Sequence, residues 1–386
     1  MFSNIFSFVL FILFFWLISL FDCFPIKQHG KQRSFVFGSA VLLLVVFAGG
    51  RWSSWVRGID ADIFDYDFYK TVYQYPLSCL HFFRDYFNAD ISIRQTEIGY
   101  VFYSTFIHRV LGVEYNFFLL LTNVVLIALL IKSFKVNHIS KCLLFILYFY
   151  AARLYLQYNF ILMRQAIAIA IVWYSFHYLM QKGQQKKYYF AVLIAMTFHV
   201  SAVVCFMVPY LQKITFRKKP YFFSLCLVFL INVLNLSNSL ILGGIESVLS
   251  LFNIDGFDRL LKYVIMSEEK GRGLNLLAFL EMVPFIYIAI VYERQMLATR
   301  EGKFYYNMLF VFLFLLVLTM NFSFLTRMCQ YLMYSYFYIL SFYAAHASLK
   351  NRCTMFSLLG VYLLVYSFRY IMIWFYTVPY SFFLLH

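Results

Sequence analysis

Apolar runs of about twenty residues recur along almost the whole chain. They fall near 2–21, 35–50, 115–131, 142–157, 160–181, 221–242, 274–292, 304–322, 326–348 and 354–374. Wound as an α-helix, a run of that length matches the hydrocarbon thickness of a bilayer. Of the 386 residues, 63% are hydrophobic and 13% charged. That charged share is about half that of an ordinary soluble domain. No water-soluble globule can hide so much apolar surface. The composition therefore excludes a soluble enzyme, a disordered chain and a secreted disulfide scaffold. The expected fold is all-α: one polytopic transmembrane domain over 1–386, with about ten spans.

The links between runs set the orientation. One group is short and basic: Lys27, Lys31 and Arg33; Lys132, Lys135 and Lys141; Lys182, Lys186 and Lys187; Lys213, Arg217, Lys218 and Lys219; Arg294, Arg300 and Lys303; Lys350 and Arg352. The positive-inside rule makes these cytoplasmic and puts both termini outside. The group holds 18 basic residues against three acids, whereas the rest of the chain is balanced, so the net charge of +15 argues orientation rather than nucleic-acid binding. The cytoplasmic set has 13 Lys and 5 Arg; the outer set has 3 Lys and 11 Arg. Arginine makes bidentate contacts with phosphate and carboxylate, so its concentration outside points to a bound anion there. Residues 2–21 lack a basic leader and a small-residue cleavage site and are read as a retained first helix.

Two segments do not fit as simple spans. Residues 97–111 are expected as a half-embedded or surface helix on the outer side. Residues 188–212 lie between two basic loops and are expected as a re-entrant pair of short helices with His199 at the tip. The outer loops are 51–96 and 243–273. Seven cysteines without a CxxC pair indicate neither a disulfide framework nor a zinc site.

The candidate residues lie outside or near span ends. Arg51, Arg57, Asp60, Asp62, Asp65 and Asp67 crowd the first outer loop. Its two DxD patterns either cap a helix starting near Asp62 or hold a hard cation; a single carboxylate as sugar ligand or base fits better, and no metal is assigned. Glu97 opens the 97–111 helix, as a helix-dipole partner or as a general base. Arg153 and Arg164 flank an expected outer turn, 154–163. Arg153 suits snorkelling to headgroups. Arg164, followed by Gln165 and the small face Ala166, Ala168 and Ala170, lies on a closely packed helix where charge points to function. His199 is either a core histidine or a proton carrier. Arg327 starts a helix with Tyr331, Tyr334 and Tyr336, a face for sugar stacking or an interfacial belt.

Arg57-Gly58-Ile59-Asp60 with Tyr66, Glu97-Ile-Gly-Tyr100, Met163-Arg164-Gln165-Ala166-Ile-Ala168 and Ala195-Met-Thr-Phe-His199-Val-Ser201-Ala202 together resemble the EpsG family of Wzy-like polysaccharide polymerases. The resemblance runs from about 35 to 350, with either Arg51 or Arg57 in the place of the family's arginine before Gly-x-Asp. It implies transfer of a growing glycan from undecaprenyl pyrophosphate to the next lipid-linked repeat unit, outside a bacterial cytoplasmic membrane, without a cofactor. On that reading Arg51, Arg57, Arg153, Arg164, Gln165 and Arg327 bind pyrophosphate or substrate, and Asp60, Glu97 or His199 serves the acceptor hydroxyl. The expected partners are the lipid-linked oligosaccharide, membrane lipids and a chain-length regulator protein, and no nucleic acid. A flippase for lipid-linked oligosaccharide and a membrane acyltransferase are the competing classes. A flippase should show pseudo-symmetric halves and carry charge across both leaflets; an acyltransferase should place its histidine, for which His199 could serve, near a cytoplasmic acyl donor or inside a tunnel.

Overall fold

A hydrophobic chain inside a bilayer must satisfy its backbone hydrogen bonds internally, and helices do so within one segment. The computed structural model describes residues 2–23, 30–52, 66–94, 96–234, 276–320, 322–374 and 381–382, and it is helical almost throughout. The helices are α1 (Phe2–Ser19), α2 (Gly30–Gly49), α3 (Tyr66–Gln74), α4 (Phe82–Asn88), α5 (Ile91–Arg94), α6 (Ile98–Phe106), α7 (Tyr115–Val136), α8 (Leu143–Tyr150), α9 (Met163–Met180), α10 (Gln185–Phe198), α11 (Lys218–Val233), α12 (Leu276–Val291), α13 (Glu293–Leu297), α14 (Arg300–Thr319), α15 (Ser323–Cys329), α16 (Tyr334–His346) and α17 (Leu349–Trp374). Each of the ten apolar runs holds helix. Among the described residues, five helices are by themselves long and apolar enough to cross a membrane: those spanning Phe6–Cys23, Lys31–Gly49, Tyr115–Val136, Arg300–Thr319 and Leu349–Ile373. The outer loop 243–273 lies outside the described residues.

The chain packs as two units, one of Met1–Val203 with Ser341–His386 and one of Val204–Leu340. In the first, α10 lies against α9, α9 against α7, α7 against α2, and α1 against α8 and α17. α2 and α7 approach so closely that a Cβ on Gly49 would stand 2.8 Å from the Leu120 Cα. Small residues permit such approaches between membrane helices, where packing drives association. A two-residue antiparallel pair joins Arg51–Trp52 to Ser381–Phe382.

Three links assigned to one side by charge meet in this unit. Asp22, its side chain fully buried, pairs with Arg33, and its Oδ2 accepts the Phe145 backbone N–H at 2.9 Å. Cys353 Sγ donates to the Cys23 carbonyl at 3.3 Å. Removing one partner of a buried pair leaves an uncompensated charge. Asp22→Ala is therefore expected to destabilise the protein by about 3 kcal/mol, read as a lower melting temperature in detergent. An unchanged melting temperature would show that the pair holds nothing together.

In the second unit, α14 packs on α11, α13 and α15. Asn307 of α14 donates to the Leu211 and Ile214 carbonyls, both at 2.7 Å, and Lys218 N donates to Glu293 Oε1 at 2.6 Å. Links 213–219 and 293–303, expected on one side, thus also meet. Tyr331, Tyr334 and Tyr336 are fully buried. Tyr336 stacks on Phe285 at 3.5 Å between ring centroids. These tyrosines fill the core, which corrects both readings of them as an exposed sugar face or an interfacial belt.

A second correction concerns 154–163. α8 continues without interruption into a π-helix, Ala151–Ile161, and the chain breaks only at Leu162. Leu154, Tyr155, Leu156, Tyr158 and Phe160 are all buried, so this stretch stays wound inside the bundle rather than turning at its surface.

Candidate functional site

Arg164 sits in the first turn of α9, next to the break at Leu162. A cation at a helix N-terminus opposes the helix dipole and needs a compensating anion. Glu97 supplies it. The residue occupies the N-cap of α6, but its side chain makes no cap hydrogen bond; it reaches instead to Arg164, whose Nη1 donates to Oε2. The two open readings of Glu97 are thus joined: it stands at a helix start, and its carboxylate faces another helix. α9 likewise has no side-chain cap. The carboxylate thus stands at the positive end of α6 and meets a guanidinium carried by the first turn of α9, an arrangement that attracts a further anion. The pair is only partly buried, with 19% and 20% of the two side chains exposed.

Aromatic rings form the floor. Arg164 Nε donates to the Tyr69 hydroxyl at 3.4 Å, and the guanidinium lies 5.5 Å from the Tyr69 ring and 5.6 Å from the Phe68 ring. Tyr69, on α3, packs against Tyr100 of α6 at 5.2 Å. Tyr86, on α4, donates to the Thr96 carbonyl at 2.9 Å and pins the turn that presents Glu97. Burial first, and the Glu97 charge second, hold the Tyr86 phenol above its ordinary range, so it remains a donor.

His199 ends α10 in extended backbone, and a 3-10 helix, Val200–Gln212, follows. The break falls at the expected tip. Its Nδ1 lies 2.5 Å from Ser201 Oγ and accepts the Ser201 N–H at 3.3 Å. The end of α10 is wedged against the start of α6: a Cβ on Gly99 would stand 2.7 Å from the Thr197 carbonyl oxygen. Backbone cannot yield there as a side chain can. Gly99→Ala is expected to push α6 off α10, displace Glu97 and lower activity about 10²-fold, since small misplacements of reacting groups are costly. Normal activity with an unchanged melting temperature would refute that close packing.

Arg51 is 5% exposed. Its Nη1 donates to the Asn159 carbonyl at 3.1 Å, and its guanidinium lies 4.6 Å from the Phe160 ring. Asn159 Nδ2 donates to Asn123 Oδ1 at 2.7 Å, and the Tyr150 hydroxyl donates to Asn159 Oδ1 at 2.8 Å. This buried network escaped the sequence reading. Its signal was Asn123, an amide within an apolar run where polar groups are expensive; Asn159 fell in the expected outer turn. Tyr69 was missed too, for want of any local signal.

The other candidates are placed differently. Arg153 lies 4.6 Å from the Tyr366 ring of α17. Gln165 is buried in α9. Arg327 is exposed on α15 in the other unit. Arg57 and Asp60 lie outside the described residues. The structure therefore joins Glu97 to Arg164 and, through Tyr100, brings Arg51 within electrostatic reach of the same ring as Arg164.

The EpsG family model matches residues 34–382, a stretch that contains every candidate residue named above. The chain belongs to the EpsG family. That membership makes it a polysaccharide-polymerase-like membrane protein, of coarse glycosyltransferase character, in polysaccharide biosynthesis. No curated protein and no solved structure matches the chain. For this EpsG-family chain, the Glu97–Arg164 pair on its tyrosine floor is the strongest candidate centre.

Proposed function

We propose that the protein polymerises repeat units of a bacterial surface polysaccharide on the outer face of the cytoplasmic membrane. The donor is a glycan on undecaprenyl pyrophosphate, and the acceptor is a sugar hydroxyl of the next lipid-linked unit. The bond from the anomeric carbon to pyrophosphate breaks as the acceptor oxygen bonds to that carbon. The hydroxyl proton passes to a carboxylate, and undecaprenyl pyrophosphate leaves. The observation that carries this reading is the Glu97–Arg164 pair, a proton acceptor and an anion binder in direct contact.

The pair also supports an order of events. While Arg164 donates to Glu97, that carboxylate oxygen is engaged. An arriving pyrophosphate offers Arg164 a bidentate partner of higher charge. Arg164 turns to it, and Glu97 is released to take the acceptor proton. Charge developing on the leaving oxygen is then met by a guanidinium already in place. Arg51 and Arg57 are further candidate pyrophosphate ligands, and a chain-length regulator protein is a candidate partner.

The test is the gel profile of the surface polysaccharide after deleting the gene, with complementation by the wild type. Single repeat units after deletion and a restored ladder on complementation are expected. A persistent ladder that lacks an acyl group would establish the acyltransferase instead. Absence of lipid-linked units from the outer face would establish the flippase.

A further inference from the structure

Tyr100 has a combination of properties that the polymerase reading above does not use. Its side chain is fully buried. Its ring is held by Tyr69 at 5.2 Å and by Phe118 at 6.3 Å. Its hydroxyl has no hydrogen-bond partner among the described residues. Buried hydroxyls are almost always paired, because leaving one unpaired forfeits its hydration without return. Both the Arg164 and the Arg51 guanidiniums lie within electrostatic reach of this phenol. The neighbouring phenols are engaged elsewhere: Tyr69 accepts from Arg164, and Tyr103 lies 3.2 Å from Thr122 Oγ1. An O–H donor left over within electrostatic reach of two guanidiniums is matched by an anionic oxygen.

We propose that the Tyr100 hydroxyl is a third donor, with Arg164 and Arg51, to the anionic oxygens of a prenyl-pyrophosphate group. The proposal rests on the polymerase reading and deepens it by assigning a ligand to this residue. The Glu97–Arg164 pair is partly solvated, and Tyr69 touches both Arg164 and Tyr100. When Arg164 turns from Glu97 to the pyrophosphate, the phosphate oxygens approach the tyrosine floor, where the Tyr100 O–H donates. A phenol suits this place because it adds a donor without adding a third positive charge.

The experiment uses the full chain, purified into lipid nanodiscs, with farnesyl pyrophosphate as the probe. Three variants are compared with the wild type: Tyr100→Phe, Tyr103→Phe and Arg164→Ala. Tyr100→Phe keeps the ring and removes only the unpaired hydroxyl, so its melting temperature without probe should equal or exceed that of the wild type. Its Kd for the probe should rise about tenfold or more, the usual effect of losing a hydrogen bond to a charged group. Tyr103→Phe should bind like the wild type. If Tyr100→Phe binds the probe normally and melts lower, its hydroxyl is satisfied by water and the proposal fails, whereas weakened binding by Arg164→Ala would still uphold the polymerase reading. If Arg164→Ala keeps both wild-type probe affinity and wild-type polymer length, the polymerase reading itself falls. A wild type that does not bind the probe overturns the assigned ligand directly.

Discussion

Arg164→Ala is expected to abolish the polysaccharide ladder while leaving the protein inserted and folded. The two halves of that expectation have different physical origins. The ion pair with Glu97 is partly exposed, so its loss should cost about 1 kcal/mol of stability, as for other solvated pairs. α9 is otherwise held by its buried face, where Ala166, Ala168, Val172, Trp173 and Phe176 pack against neighbouring helices. Catalysis is more exposed to the change, because a preorganised donor at the leaving group is worth about 10²- to 10³-fold in rate. Arg164→Lys separates charge from shape. It keeps the positive end but loses the fork that lets one side chain hold two oxygens. A partial ladder, shorter than that of the wild type, is expected from lysine. The measurement is polymer length on a gel, with the membrane level of each variant checked alongside. A full ladder from Arg164→Ala at normal protein level would remove this residue from the mechanism.

How the chain reveals this site is instructive. Hydropathy alone places the ten apolar runs, because a bilayer imposes one length and one backbone solution on each. Charge alone groups the links that meet around Asp22, Arg33 and Cys353. The break at His199 was also legible, since a stretch flanked by basic loops on both ends is a poor single crossing. Pairings across the bundle were not legible. Glu97 and Arg164 are 67 positions apart, and no periodicity encodes which arginine a carboxylate will meet. The small face after Arg164 sets it apart from Arg153 in sequence but does not encode the partners they find: Arg153 lies over Tyr366 and Arg164 faces Glu97. Arg153 lies in the π-helix that continues α8, and Arg164 lies beyond the break at Leu162, in the first turn of α9. A surface turn and a packed π-helix have the same apolar composition here, so only packing tells them apart.

Glu97→Gln tests the other half of the pair. Glutamine has the shape of glutamate, and its carbonyl oxygen can still accept from Arg164, so the local structure and the anion binder should both persist. What glutamine cannot do is take the proton of the acceptor hydroxyl. Loss of a positioned general base lowers rates by about 10²- to 10⁴-fold. The expected variant therefore binds a prenyl pyrophosphate like the wild type but leaves single repeat units unjoined. This separates binding from chemistry, because Arg164→Ala should impair both. Should Glu97→Gln polymerise normally, the proton must go elsewhere. His199 has its Nδ1 engaged by Ser201, 2.5 Å from Oγ and 3.3 Å from the backbone N–H. The role would then fall to His199 or to Asp60 of the first outer loop, and His199→Gln and Asp60→Asn would become the variants to measure.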